Sequence, residues 1–478
     1  MNDEHPITYV VMGAGPAGLA AAHALADKGK RVILLEADPL SGGMAKTLQK
    51  GALKYDLGPH NLHSIYPDII GLIKRLLDNQ IEEHKIVSRI YFRDRVVPYP
   101  LTGMKVFTSI PLYLSLAAFF DFMVTRAKRR LSFSRPDEGS FKEWIINRFG
   151  NVLYEIYFEP YASKVWKMDP SCLSKIIAEK RIPVLSLFAI IKRALFNEKK
   201  FHPEDSTQIY NFYPKGGVGV LMQKMEERIL GKAGEVIHNA RVENIYCRDN
   251  RVAGVQYTNK EGKTCLIENA RLISSIPLNE LIQLLEGVDP SVKSDSSKLS
   301  YTSMRLFYMI VNKKEVLDLP WIYFSDKDVI FNRLSDMSKF SKTLVSDNKT
   351  ILCLEVSCRI NDELWTAGDN ALFELMIPVL EKYGIVRRQD IESVFSEYIE
   401  YSHPLFFKGF EDIVGSSLKE LEKIDGLITI GRQGLYTYAN IDEAMKMGIT
   451  AAELITRQDG RINYKNIFPD HLFYTFAA

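Results

Sequence analysis

The chain has 478 residues, 46% of them hydrophobic, enough for more than one core. Its 61 basic and 59 acidic side chains leave a net charge of +2, which excludes the basic footprint of a nucleic-acid binder. The five cysteines (Cys172, Cys247, Cys265, Cys353, Cys358) form no C-x-x-C pair, so free thiols in a reducing compartment are expected, with neither a redox disulfide nor a metal site.

The first predicted unit is β-α-β. An apolar run ends at Met12, and Gly13, Gly15 and Gly18 follow at G-x-G-x-x-G spacing. An Ala-rich helix comes next, then the apolar run 32–35, closed by Glu36. This pattern binds a dinucleotide. Gly13 permits the tight turn, Gly15 lets the backbone approach the pyrophosphate, and Gly18 lets helix and strand pack closely. Glu36 is placed to accept hydrogen bonds from the adenosine ribose. The next residues, P-L-S-G-G-M at 39–44 and Y-D-L-G-P-H at 55–60, let loops wrap an extended cofactor. Gly42, Gly43, Met44, Gly58 and Pro59 are the expected contacts there. Here the chain resembles the flavin branch of the two-dinucleotide-binding-fold superfamily, which includes amine oxidases, protoporphyrinogen oxidase, phytoene desaturases and UDP-galactopyranose mutase. The resemblance implies FAD rather than NAD.

Residues 106–124 form an apolar stretch interrupted by Pro111 and Asp121 and followed by Arg126, Lys128, Arg129 and Arg130. Three readings fit: helices packed on the core, a helix on a membrane surface with a basic flank, and a membrane span. The first is the expectation.

Further on, residues 141–149 and 152–161 have helical apolar spacing. The glycine-rich Y-P-K-G-G-V-G at 213–219 precedes a helix over 220–230. Strands are predicted at 236–242, 251–257 and 271–277, with a turn at 248–250. Residues 427–431 are the last strand of the nucleotide-binding sheet, and a helix follows over 442–456. The expected fold is α/β. A Rossmann-type FAD-binding domain is assembled from 1–100, 206–298 and 401–478, a helical domain from 101–205, and a mixed-sheet substrate domain from 299–400. That discontinuity is what the superfamily resemblance implies.

The remaining motifs resemble UDP-galactopyranose mutases. G-P-H-N-L-H-S at 58–64 matches the segment beside the isoalloxazine, which puts His60 and His63 near the flavin. An imidazole that titrates near neutral pH could tune flavin charge there. Residues 160–184 resemble the Y-x-x-K-x-W…R-I-P-V stretch. The resemblance places Trp166 against uracil and Arg181 on the substrate diphosphate, where a guanidinium grips bidentately. Leu185 replaces a further arginine of the compact bacterial enzymes. Residues 321–334 resemble a strand pair of larger mutase-like proteins, with Arg333 directed to the cleft. G-R-Q-G-L-Y-T-Y-A-N-I-D-E-A at 431–444 resembles the mutase G-R-x-x-x-Y-x-Y signature. It implies that Gly431 and Arg432 lie against the flavin. Asn440, Ile441, Asp442 and Ala444, at a helix start, would face its pyrimidine end and favour an anionic reduced form. Tyr436 and Tyr438 would offer hydroxyls to substrate phosphates. Val242 completes the expected cofactor contacts.

These resemblances imply an FAD enzyme, active in its reduced form, that acts on a nucleotide-sugar in surface polysaccharide biosynthesis. In that family the reaction is redox-neutral overall: reduced flavin attacks the anomeric carbon, and UDP leaves and returns. The alternative is an oxidoreductase of amine oxidase or protoporphyrinogen oxidase type, taking a hydride onto flavin and reoxidised by oxygen. A cytoplasmic location is expected, because the first strand starts so early in the chain, with a peripheral position at the inner membrane face if 106–130 lies on a lipid surface.

Overall fold

The computed structural model describes residues 7–83, 88–93, 95–99, 111–131, 139–181, 210–232, 234–346, 348–457 and 463–468. Its nucleus is a five-stranded parallel sheet in the order Gly234–Ile237, Val32–Leu35, Thr8–Met12, Ala270–Ser274, Leu427–Thr429. The two motif strands are buried throughout, as strands inside a parallel sheet covered on both faces are. The helix Pro16–Asp27 follows the first strand, and the closing helix Ile441–Ile455 packs across it. That crossing needs bare backbone: a Cβ on Gly448 would sit 2.2 Å from the Ala17 carbonyl oxygen.

The expected strand at 236–242 is broken in two. His238 and Asn239 turn the chain, Asn239 at φ +52°, and Arg241–Arg248 starts a separate antiparallel sheet with Arg251–Thr258 and Thr264–Glu268. Its hairpin turn is made by Asp249 and Asn250, both at positive φ, as a type I′ turn requires.

A seven-stranded sheet builds the second half in the order Ile391–Pro404, Tyr301–Val311, Thr350–Cys358, Arg333–Asp336, Trp321–Phe324, Ser88–Phe92, Arg95–Tyr99. All neighbours are antiparallel except Trp321–Phe324 beside Ser88–Phe92. This corrects the expected partition: residues 88–99, assigned to the nucleotide-binding part, extend the large sheet instead. Alternation alone does not say which sheet a short strand joins. The helix Asp369–Lys382 buries Leu372, Met376, Ile377 and Leu380 on one face of this sheet, and Leu53, Tyr55 and Tyr213 pack on the other.

The helix Phe141–Phe149 is capped reciprocally by Ser140 and Glu143. The next predicted helix is interrupted by one π turn, Tyr154–Phe158, before Glu159–Trp166 continues. The stretch 111–131 is one helix, Leu112–Leu131. Only its inner side packs: Ala118 and Phe122 meet Leu153, and the Asp121 carboxylate accepts from the Val152 N–H at 2.8 Å. Its outer side is exposed, from Leu112 (76%) and Tyr113 (70%) through Leu116, Phe119 and Phe120 to Met123 and Val124. The core expectation therefore holds for one face and fails for the other. Residues 106–110 lie outside the described part. Among the described residues, no helix is long and apolar enough to cross a membrane.

Candidate active site

The first strand delivers the chain into the glycine turn. Gly13 has φ +90°, and a Cβ on Gly18 would lie 1.9 Å from the Gly13 carbonyl oxygen. Gly15 is different, because a Cβ there would meet nothing within 4 Å. The turn thus leaves open space beside Gly15, at the start of a helix whose first N–H groups have no intrahelical partner. Glu36 is buried at the end of its strand and accepts from the N–H groups of Ala14 (2.6 Å) and Asp38 (2.9 Å). Burial raises its pKa, against the pull of those two bonds. Gly42 and Gly43 both have positive φ, and a Cβ on Gly43 would lie 3.1 Å from Gly15 Cα. Met44 follows them, half-buried. Val242 starts the neighbouring antiparallel sheet, paired with Tyr257. Gly431, at φ +79°, brings the last segment to Ala17 of the motif helix.

The loop Gly58-Pro59-His60 is held from below. The Tyr308 hydroxyl donates to the Asp56 carbonyl at 2.7 Å and accepts from the Gly58 N–H at 2.9 Å. The Asp56 carboxylate, fully buried, accepts from Thr47 Oγ1 (2.6 Å), from the Val218 N–H (3.2 Å) and from the Tyr213 hydroxyl. Burial raises its pKa to about 6, although these donors pull it down.

His60 Nδ1 lies 2.9 Å from the Gly58 carbonyl, so Nδ1 carries the proton and Nε2 keeps its lone pair. Burial, helped by the charges of Arg432 and Arg333, lowers its pKa to about 4. The expectation that His60 titrates near neutral pH is therefore corrected: the ring is neutral at pH 7. His63 Nε2 lies 3.3 Å from Asn440 Nδ2, which joins the G-P-H segment to the start of the closing helix. That helix start is not a bare positive end. The Glu443 carboxylate accepts the Asn440 N–H at 2.6 Å, and Asp442 is buried beside it. Burial and then the Glu443 charge raise the Asp442 pKa. Ile441 and Ala444 flank these acids in the first turn.

Arg333 is paired with Glu355 and lies 5.8 and 5.9 Å from the rings of Trp321 and Tyr323. Its Nε is buried with no hydrogen-bond partner among the described residues. Arg432 donates from Nε to the Ala439 carbonyl at 2.8 Å and sits 5.5 Å from the Tyr438 ring. Tyr438 stacks on His403, with centroids 5.6 Å apart at 15°. Trp166 meets His403 edge-on at 6.3 Å. A small cleft is lined by Trp166, Tyr438, Phe406, Ile176, Ile177 and Lys180.

Two of the expected substrate contacts are placed otherwise. Tyr436 is fully buried at φ +47°, and its hydroxyl donates within 2.7 and 2.8 Å of the carbonyl oxygens of Ser300 and Leu405. It is a core residue, because its strained turn points the ring inward. Trp166 is 4% exposed and packs on His403 and Phe406, as a wall rather than an open stacking platform. Arg181 ends the helix Ile176–Arg181, and its side chain and Leu185 lie outside the described residues.

Sequence reasoning missed His403, Lys164 and Glu355. His403 ends a long strand just before Pro404, a position with no motif to mark it. Lys164 is the motif lysine two residues before Trp166. Its ammonium lies within hydrogen-bond reach of four carbonyl oxygens, those of Phe324 (2.6 Å), Asp326 (3.0 Å), Val329 (3.1 Å) and Phe331 (3.2 Å).

Residues 16–342 match the family described as flavin containing amine oxidoreductase. The chain belongs to that family. It is therefore a flavin-dependent enzyme, and the open space at Gly15 beside a buried acceptor at Glu36 fits a dinucleotide-type flavin. Within the family, the UDP-galactopyranose mutase of Mycoplasma pneumoniae is 21% identical over 454 residues, covering 93% of this chain and 95% of that protein. Protoporphyrinogen oxidase 1 of Arabidopsis thaliana is 27% identical over 177 residues, covering 34% of this chain and 31% of that protein. Among solved structures, a reduced UDP-galactopyranose mutase superposes with a TM-score of 0.82 at 22% identity, over 97% of this chain and 96% of the other. A putative protoporphyrinogen oxidase from Exiguobacterium follows at TM-score 0.71 and 18% identity, over 94% of this chain and 98% of the other. At these identities the structural likeness establishes the fold.

Proposed function

We propose that this flavoenzyme binds FAD and acts, with the flavin reduced, on a nucleotide-sugar in the manner of UDP-galactopyranose mutase, serving surface polysaccharide synthesis in the cytoplasm. The observation that carries the reading is Arg333. Its buried Nε has no partner among the described residues, and its charge, with that of Arg432, acts on the neutral His60. A buried guanidinium donor left unsatisfied seeks an acceptor, and a phosphate oxygen is one it fits. The end-to-end match to a mutase, against a match over only a third of this chain for a chloroplast protoporphyrinogen oxidase, supports the same reading.

In this reading Gly13, Gly15 and Gly18 with Gly42, Gly43, Met44 and Glu36 hold the adenosine diphosphate half of FAD. Gly58, Pro59, Val242, Gly431, Arg432 and the start of the closing helix (Asn440, Ile441, Asp442, Ala444) border the rest. Reduced flavin supplies a nucleophile for the anomeric carbon, and the chemistry is otherwise positioning. His60 offers Nε2 as a neutral acceptor, and His63 fixes the helix start through Asn440. Arg333, Arg181 and the Tyr438 hydroxyl take the phosphates, and Trp166 and His403 wall the nucleotide end. The inward turn of Tyr436 favours the second reading, an FAD oxidoreductase reoxidised by oxygen, since it removes one phosphate donor from the cleft.

Calorimetric titration of UDP into the reduced holoprotein separates the two. Arg333→Lys keeps a charge for Glu355 but loses the fork, and should weaken UDP by about one to two orders of magnitude with flavin content unchanged. Absence of binding at millimolar UDP, with steady oxygen uptake on an amine or porphyrinogen, would remove the mutase reading.

A further inference from the structure

We infer that the outer face of the helix Leu112–Leu131 is a docking surface for an anionic lipid membrane, on which the protein lies without spanning it. The described residues include sixteen exposed large hydrophobic side chains, and seven of them stand on this one helix: Leu112, Tyr113, Leu116, Phe119, Phe120, Met123 and Val124. At 3.6 residues per turn they fall within an arc of roughly 140°, a continuous stripe rather than a scatter. Single exposed apolar residues are ordinary on a protein surface; a contiguous stripe with two exposed phenylalanines marks an interaction site.

Charge identifies the occupant. The last turns of the helix carry Arg126, Lys128 and Arg129, of which Lys128 and Arg129 are exposed. The helix has a single acid, Asp121, and its carboxylate is turned inward to the Val152 N–H. The outer side is thus apolar along its length and flanked at its end by Arg126 and Lys128, while Arg129 turns to the inner side, 3.5 Å from the Asn147 carbonyl, and the helix carries no acid on its outer side. An aromatic and aliphatic face flanked by Lys and Arg matches the boundary between acyl chains and anionic headgroups. A second copy of this chain in a parallel pairing would set one cationic end against another. Depth is limited as well, since no described helix is apolar enough to cross a bilayer. The inner face anchors the helix through Ala118 and Phe122 to the layer of Phe141–Phe149 and Asn151–Leu153, which in turn packs on the Ile176–Arg181 helix of the cleft. Docking would hold that side of the cleft next to the lipid surface.

The test is co-sedimentation of the flavin-loaded protein with vesicles of mixed phosphatidylglycerol and phosphatidylcholine, and with phosphatidylcholine alone. Binding is expected to the anionic vesicles, and to fall steeply at molar salt, where screening shortens to about 3 Å. Phe120→Asp should reduce partition roughly tenfold or more. Arg126→Glu with Lys128→Glu should do the same without touching the apolar stripe. Bound flavin absorbance and the melting temperature report that each variant is folded. Absence of binding to both vesicle types overturns the inference. So does a Phe120→Asp variant that binds as the parent does. Self-association that Phe120→Asp abolishes, without vesicle binding, would assign the stripe to a contact between copies.

Discussion

The two ends of the proposed cofactor track are built on different physics. At the glycine turn, backbone meets backbone: the atom a Cβ on Gly18 would strike is a carbonyl oxygen of Gly13, at 1.9 Å. Around Tyr438 the contacts are side chain to side chain, with its ring stacked 5.6 Å from His403 and 5.5 Å from the Arg432 guanidinium. The first kind of site tolerates one residue type per position. The second is satisfied by many combinations, so its members can be recruited from anywhere in the chain.

The largest expected effect separates two glycines inside the first kind. Gly18→Val must displace the turn and should cost about 3 kcal/mol or more, visible as aggregation or a strongly lowered melting temperature. Gly15→Val fills open space, so the apoprotein should melt within a degree or two of the parent while flavin content collapses. Equal melting losses in both variants would erase the distinction.

Next in size is a pH effect from the loop's support. Asp56 has a folded pKa of about 6 against 3.8 for the free side chain, because it is buried. The folded chain therefore holds this proton more tightly. The resulting stability is complete below pH about 4 and is lost as the pH rises through about 6. The change is on the order of 2–3 kcal/mol. Denaturant titrations across that window should show the slope, and Asp56→Asn should flatten it. A flat parent curve would mean that the Thr47, Val218 and Tyr213 donors outweigh burial.

The smallest effect divides the two tyrosines of one motif. Tyr436→Phe removes a buried donor from the Ser300 and Leu405 carbonyls and should cost about 1–3 kcal/mol, with substrate affinity of the folded fraction intact. Tyr438→Phe should leave stability within about 0.5 kcal/mol and act on substrate affinity instead. Reversed outcomes would return Tyr436 to the cleft.

This division also explains what could be read from the chain. The β-α-β unit, the strand 427–429 and the closing helix were legible because glycine spacing and apolar period leave few alternatives. Assignment of residues 88–99 to the wrong sheet had a different cause: a β-hairpin carries no record of its neighbours. The helix 112–131 was half legible. Its apolar content is plain, yet the seven bare residues lie on one side and Ala118 and Phe122 on the other, which hydropathy alone does not divide. His60 carries no sequence signal for its charge: burial, helped by the charges of Arg333 and Arg432 from segments far away in sequence, lowers its pKa to about 4. His403 had no local signal at all.

The socket around Lys164 has a mechanical consequence. Its four carbonyl oxygens come from the end of the strand Trp321–Phe324 and the loop that follows it, while the lysine belongs to the helix that ends at Trp166. A compact ammonium, unlike the planar fork of arginine, has no preferred plane. The helical layer is therefore pinned to the sheet through one cation ringed by backbone oxygens, beside the ion pair of Glu159 with Lys327 of the same segment.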